Sequence, residues 1–263
     1  MPGRIVRELK GFLLREAGEH SKTRVRRVCL GLGYAGVQLE TSHLGLCAVL
    51  PYELGHCTIY HRAGSLAGKT VENLAELAES WNPIEAIVGV AALNALAQLI
   101  FEEKCETYEV AAGNLVNALN IGAEDVVVVV GSFRPIIPRI KDRTEKVYVL
   151  ERNPQLRGEN QTLPDTACEE YLPKASIAII TATSLANGTI DRLLELASNA
   201  REVALLGPTA PIVPDPLFRH GVTIVGTMRV KEPELALGIL MEGGGTRHLE
   251  KACEMVNLRP KTD

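Results

Sequence analysis

The chain has few aromatic residues, only 4 % Phe, Trp and Tyr among its 263 residues, a scarcity that, beside plentiful Ala, Val, Leu, Ile and Gly, suits an α/β layered fold. Its six cysteines, at 29, 47, 57, 105, 168 and 253, form no C-x-x-C pair. That spacing argues against a disulfide framework and for reduced thiols. No excess of positive charge exists: the net charge is −4 and the pI near 5.9, which argues against a nucleic-acid partner. The basic run Lys22–Arg27 reads as a solvated turn and strand edge. The longest apolar run, Ala86 to Phe101, is interrupted by Asn94 and Gln98 and falls short of the roughly 20 residues a membrane span needs. Met1 leads into a charged amphipathic segment without a secretory apolar region, so a cytoplasmic protein is expected. Also missing are G-x-x-x-x-G-K-[ST], H-E-x-x-H and G-x-S-x-G, the signatures of phosphate loops, zinc proteases and serine hydrolases.

What is present is small and aliphatic. Val126 to Val130 are five consecutive valines, too apolar for a surface strand and read as a parallel strand covered on both faces. Gly131 ends it, and Pro135 suits the first turn of a following helix. About 20 residues on, the run Val147–Leu150 ends in Glu151, the glycine-then-acid outline of a dinucleotide-binding half, with one glycine in place of three. Further strands are expected at 176–181, 203–206 and 222–225, and helices at 110–119, 188–198, 232–241 and 246–256. This alternation implies a mostly parallel, doubly wound α/β sheet. The long polar connection 152–166 suits a lid or a binding loop.

Before it, residues 4–17 form an amphipathic helix and 25–50 a three-stranded antiparallel unit; 52–69 reads as a loop and 71–80 as a short helix. Asn82 is placed to cap the next helix, with Pro83 at its first position and Glu85 as the capping-box acid. That helix is apolar nearly all round, which requires burial on every side. Asn94 and Gln98 share one stripe of it, and Asn94 is assigned to a domain interface. The charged stretch Glu102–Thr107 marks the boundary between a small α+β domain, 1–106, and the α/β domain, 107–263.

The chemistry gathers at strand ends. Gly131 and Ser132, then Thr181 and Thr183, then Asn187, Gly188 and Thr189, then Gly207, Pro208, Thr209 and Pro211 all follow buried strands. Carboxyl ends of parallel strands form the ligand crevice of open α/β sheets. Glu151 is a candidate acceptor for a ligand hydroxyl, and Asn94, Glu40 and Thr41 are expected to close the crevice from the first domain. His56, Cys57 and His61 form a candidate soft-metal set.

Three stretches together resemble one family: Trp81–Ala86 with Gly89–Ala95, Thr181–Thr189, and Leu205–Pro211. They look like the prokaryotic proteins grouped as "putative heavy-metal chelation", and the similarity runs from about residue 25 to 245. The resemblance implies an enolase-N-terminal-like domain joined to a Rossmann-like domain, with a site in the cleft between them. It also implies metal handling and a link to anaerobic cobalamin synthesis. The reading that follows is binding of a small anionic or metal-chelating molecule, with a transition metal or such a chelator as the implied cofactor. Two alternatives stand beside it: a nucleotide-dependent enzyme using Gly131 and Glu151, and a non-catalytic metal carrier. Neither nucleic acid nor a membrane is expected as partner, and a homo-oligomer is left open.

Overall fold

The structure, a computed structural model, describes residues 3–54, 59–157 and 162–261. It contains two sheets. The first is antiparallel, β1 (Val25–Leu30), β2 (Tyr34–Leu39) and β3 (Leu44–Ala48), in that order. The second has eight strands: β4 (Tyr108–Ala112), β5 (Val127–Val130), β6 (Val147–Glu151), β7 (Leu163–Pro164), β8 (Ile177–Thr181), β9 (Glu202–Leu206), β10 (Ile224–Val230) and β11 (Cys253–Pro260). Their spatial order is β4-β11-β10-β9-β8-β5-β6-β7. From β10 to β7 every neighbouring pair is parallel, and β11 runs antiparallel between β10 and β4. The chain leaves β5 toward β6 and β7, then returns to lay β8, β9 and β10 on the other side. The reversal opens a crevice at the carboxyl ends of β5 and β8.

The valine run lacks alternation because both faces of β5 are covered. Val127 and Val129 pack with Ile137, Ile140 and Leu115, while Val128 and Val130 belong to the larger cluster that includes Ile180, Ile190 and Leu193. That larger cluster also takes in Leu9, Leu13, Ile87 and Leu93 from the first third of the chain. A third cluster joins Leu44 and Leu46 to Met228, Leu237 and Leu240. Apolar packing therefore crosses the 102–107 stretch, although no strand of the first sheet enters the second.

The helix Pro83–Lys104 is the axis of the first unit. Asn82 caps it, accepting from the backbone N–H of Ile84 (3.0 Å) and Glu85 (3.3 Å). Glu85 closes the box indirectly: its carboxylate accepts from the Ser80 hydroxyl, which itself accepts from the Asn82 N–H. Apolar by length and composition to the degree a membrane span would need, this helix is instead buried among β2, β3, the helix Arg4–Ala17 and the turns at 71–79. Two glycines allow the approach. A Cβ at Gly45 would lie 2.0 Å from the Ala95 nitrogen, and one at Gly89 would lie 1.9 Å from the Ala78 nitrogen.

Two segments differ from their sequence reading. Residues 110–119 were expected as a helix, but Tyr108–Ala112 is the edge strand β4, and only Leu115–Ala118 is helical. Likewise the helix expected over 246–256 stops at Leu249, and Cys253–Pro260 becomes β11. The cause is tertiary: β11 pairs along both edges, with β10 and with β4, and that backbone pairing overrides weak helical periodicity. The connection 152–166 carries a short 3-10 turn at Pro154–Leu156 and the strand β7.

Gly45→Ala and Gly89→Ala should each destabilise the fold by about 1–3 kcal/mol or more, because backbone atoms and not flexible side chains fill the space. Urea unfolding of the two variants checks this; unchanged midpoints would contradict the packing described.

Candidate functional site

The crevice at the carboxyl edge of the second sheet holds two adjoining cavities, each of about 420 Å³. Ser132, Phe133, Thr181 and Thr183 line both and form the partition between them. The first lobe lies over the ends of β5, β6 and β8 and is closed from the first unit by Val49 to Glu53. The second lies over the ends of β5, β8 and β9 and the middle of β10, with Tyr34 and Ala48 contributed by the first unit.

Glycines shape the walls where the chain leaves the strands. Gly131 has φ +110° and Gly207 φ +126°, both in the region that favours glycine. A Cβ at Gly131 would press on Thr181 at 3.0 Å, whereas at Gly207 the nearest atom, the Ala182 methyl, is 3.9 Å away. The Gly207 turn thus opens into the cavity. Between the lobes, the Thr181 and Thr183 hydroxyls bond one another at 2.9 Å. In the second lobe the Thr227 hydroxyl donates to the Ala210 carbonyl (2.6 Å), and the Thr209 hydroxyl accepts from the Ala48 N–H (2.9 Å).

The first lobe is charged but internally paired. Glu53 meets Arg152 at 2.7 Å and Asn187 at 3.5 Å, so one carboxylate of the first unit reaches two turns of the second. Arg152 also meets Asp165 at 2.8 Å. Glu151 accepts from the backbone N–H of Ser132 and of Asn153, both at 2.8 Å. Its carboxylate therefore pins the turn after β5; the hydroxyl-accepting role expected for it would have to use its remaining lone pairs. Asn187 accepts from both the N–H and the hydroxyl of Thr189, and Thr189 makes no side-chain cap to its helix. Gly188 is an exposed turn residue, and Pro211 is buried behind the Gly207 turn; neither lines a lobe. Pro208 and Thr209 line the second.

Three expectations about the first unit are revised. Asn94 sits at the junction of the two units, 4 % exposed, but lines neither lobe. Its amide donates to the carbonyls of Leu46 (2.7 Å) and Thr209 (2.8 Å), leaving no hydrogen for a ligand. Glu40 and Thr41 lie at the exposed β2–β3 turn, whereas Tyr34 and Ala48, at the opposite end of those strands, face the crevice. Thr41 instead borders a separate recess of about 220 Å³ with Gln98, Glu102 and Arg229.

Of the candidate metal set, His56 and Cys57 lie outside the described residues. His61 is exposed and makes an edge contact with Tyr60. Among the described residues no three His, Cys, Asp or Glu side chains converge as metal ligands. Burial pushes the thiols of Cys47 and Cys253 up to about 12, so both stay protonated, and the thiolate is the ligating form. Burial also raises the thiol of Cys168, the one cysteine lining a lobe among the described residues.

Several lining residues had escaped sequence reasoning: Tyr34, whose hydroxyl meets that of Thr246 at 2.8 Å, Asn114, Asn257, Arg139 and Arg247. Gly113-Asn114 was a legible turn signal, since Gly113 takes φ +108° and Asn114 caps Leu115–Ala118. The two arginines carry no local signal.

Comparison with known proteins agrees with this architecture. Residues 114–259 match the model of a family described as "putative heavy-metal chelation", and residues 13–97 match a second model with the same description. An uncharacterised protein of Methanocaldococcus jannaschii is 28 % identical over 242 residues, 89 % of each chain. Crystal structures of two proteins of unknown function, both from the family matched by residues 114–259, superpose closely. That from Pyrococcus horikoshii has a TM-score of 0.81 at 25 % identity, covering 97 % of this chain and 99 % of that one. The one from Desulfitobacterium hafniense has a TM-score of 0.81 at 24 % identity, covering 97 % and 98 %, and shares the fold.

Asn94→Ala should cost about 1–3 kcal/mol of stability by stranding two buried carbonyls. Glu40→Ala and Thr41→Ala should stay within about 0.5 kcal/mol of the parent. Thermal unfolding of the three variants separates them. In native protein at mildly alkaline pH, a soluble thiol reagent should leave Cys47 and Cys253 unmodified until denaturant is added; rapid labelling of either would contradict their burial.

Proposed function

Because the chain belongs to the family described as "putative heavy-metal chelation", we propose that its crevice binds a small anionic molecule that can carry a complexed metal ion. The molecule, not the protein, supplies most of the metal's ligands. We read residues 1–106 as the enolase-N-terminal-like unit and 107–263 as the Rossmann-like unit, with the site between them. The order β7-β6-β5-β8-β9-β10 supports the second half of that reading, since it is the order of doubly wound dinucleotide-binding sheets.

The observation that carries the proposal is the donor set. The Thr181–Thr183 hydroxyl pair, the Asn114 amide and the backbone at Gly207 face a cavity of small-molecule size, while the Thr227 hydroxyl and the Asn257 amide, already donating to backbone carbonyls, offer it only acceptor oxygens. Soft ligands are scarce: no histidine among the described residues lines either lobe, and the one thiol there is protonated at neutral pH. Such groups orient oxygen-rich molecules by hydrogen bonds and leave a metal in its own chelate. The nucleotide alternative has less support. The turn after β5 has one glycine, and Glu151 is already held by two backbone N–H groups.

Native mass spectrometry with elemental analysis of protein purified without chelating agents tests the proposal. The expected result is a bound mass of an organic anion, with metal in stoichiometric amount when the chelate is loaded. Thr183→Val, which keeps side-chain volume, should weaken its retention, and Gly207→Val should abolish it by filling the crevice. Unfolding midpoints control for strain at the Gly207 turn. A ligand located crystallographically that touches neither 181–189 nor 207–211, or a co-purified nucleotide in the first lobe, overturns the reading.

A further inference from the structure

The second lobe has a charge pattern that the proposed binding reading does not by itself require. Arg139, on the short helix Ile137–Lys141 that follows β5, and Arg247, on the helix Thr246–Leu249 that precedes β11, both line it. They are exposed, and among the described residues neither makes a hydrogen bond or an ion pair. Nearby arginines are paired. Arg152 holds Glu53 and Asp165, Arg192 holds Glu169 and Glu195, and Arg259 holds Glu202. Against the two guanidiniums the lobe presents one carboxylate, Glu250, leaving an excess of positive charge in a recess of a protein whose net charge is −4.

From this we infer that Arg139 and Arg247 form the anion-recognition pair of the second lobe. The ligand class is a small molecule bearing carboxylate or phosphate groups. A guanidinium presents a planar fork of N–H donors that matches either oxyanion in a bidentate way, and unpaired positive charge at the rim of a cavity draws an anion toward it. The two arginines come from opposite sides of the sheet's strand order, one after β5 and one before β11. Their placement at one cavity depends on the fold and not on a local turn. Within the same lobe, the Thr181–Thr183 hydroxyl pair would receive the rest of the molecule, so the arginines hold its acidic end and the hydroxyls orient its body. The inference rests on the proposed binding role of the crevice and adds to it the acidic groups the ligand must carry.

Isothermal titration of the full-length protein with two probes, citrate and inorganic phosphate, provides the test, at low and at physiological ionic strength. Arg139→Gln and Arg247→Gln should each weaken the preferred probe about 10- to 100-fold, the double variant more, and the salt dependence of binding should shrink with each change. Arg15→Gln, an exposed arginine on the first helix, serves as the control for bulk charge, and unfolding midpoints should be unchanged in all variants. Citrate as the tighter probe assigns a carboxylate ligand, and phosphate as the tighter probe a phosphorylated one. Binding that is abolished by Gly207→Val yet untouched in the double arginine variant overturns this inference while leaving the crevice reading intact. An equal loss in Arg15→Gln, or failure of both probes to bind the parent protein at millimolar concentration, overturns it as well.

Discussion

The cleft depends on one buried amide. Asn94 lies on a helix with no polar face, and its two N–H groups end on carbonyls of different sheets, Leu46 in β3 and Thr209 in the turn after β9. Thr209 returns the connection, its hydroxyl accepting from the Ala48 N–H at the wall of the second lobe. One helical turn along, Gln98 does the same for β10: it donates to the Met228 carbonyl and accepts from the Val230 N–H. These contacts fix the distance between the first unit and the ends of β9 and β10. The Asn94 bonds are the costly ones to break, because they are buried and an abandoned carbonyl there has no water to turn to. Surface ion pairs would fix the same distance far less firmly, since solvent screens them and their net contribution is small. Two polar side chains within the apolar run of this helix therefore set the shape of a cavity that neither of them lines.

Much of this was legible in the sequence, and the parts that were not share a cause. The valine run, the Asn82-Pro83 start and the small-hydroxyl strand ends are local signals, and the structure has β5, the capped helix and the crevice-lining turns where they stand. The strands β4 and β11 were read as helix because their identity comes from pairing across the sheet: Val110 faces Leu258 and Ala112 faces Val256. The misplacement of Glu40 and Thr41 has the same origin. Alternation reveals a hairpin but not which of its two ends abuts the second sheet, and that end is the one where the Ala48 N–H meets Thr209 and Asn94 ties Leu46 to the same turn. Asn94 stands out in the sequence as a polar residue on an apolar helix, but periodicity gives the stripe on which a side chain lies and not the carbonyls waiting opposite it. Arg139 and Arg247 lie far apart in the chain and share a site only after the sheet has formed.

The chemistry of the crevice and the treatment of the thiols point the same way. A protein that strips a metal from its carrier needs thiolates or imidazoles at the site, because such donors compete with an organic chelator for soft metals. Here the thiols of Cys47 and Cys253 are pushed up to about 12 by burial, and that of Cys168 is raised by burial and then by its acidic neighbours Glu169 and Asp165. Each shift disfavours the form that would compete. The polar groups that line the second lobe are hydroxyls, amides and guanidiniums with a single carboxylate, Glu250, a set suited to the oxygen periphery of an anion and with little affinity for a soft ion inside it. Holding a chelate intact and removing its metal are opposite demands on a donor set, and under the proposed binding role this set suits the first.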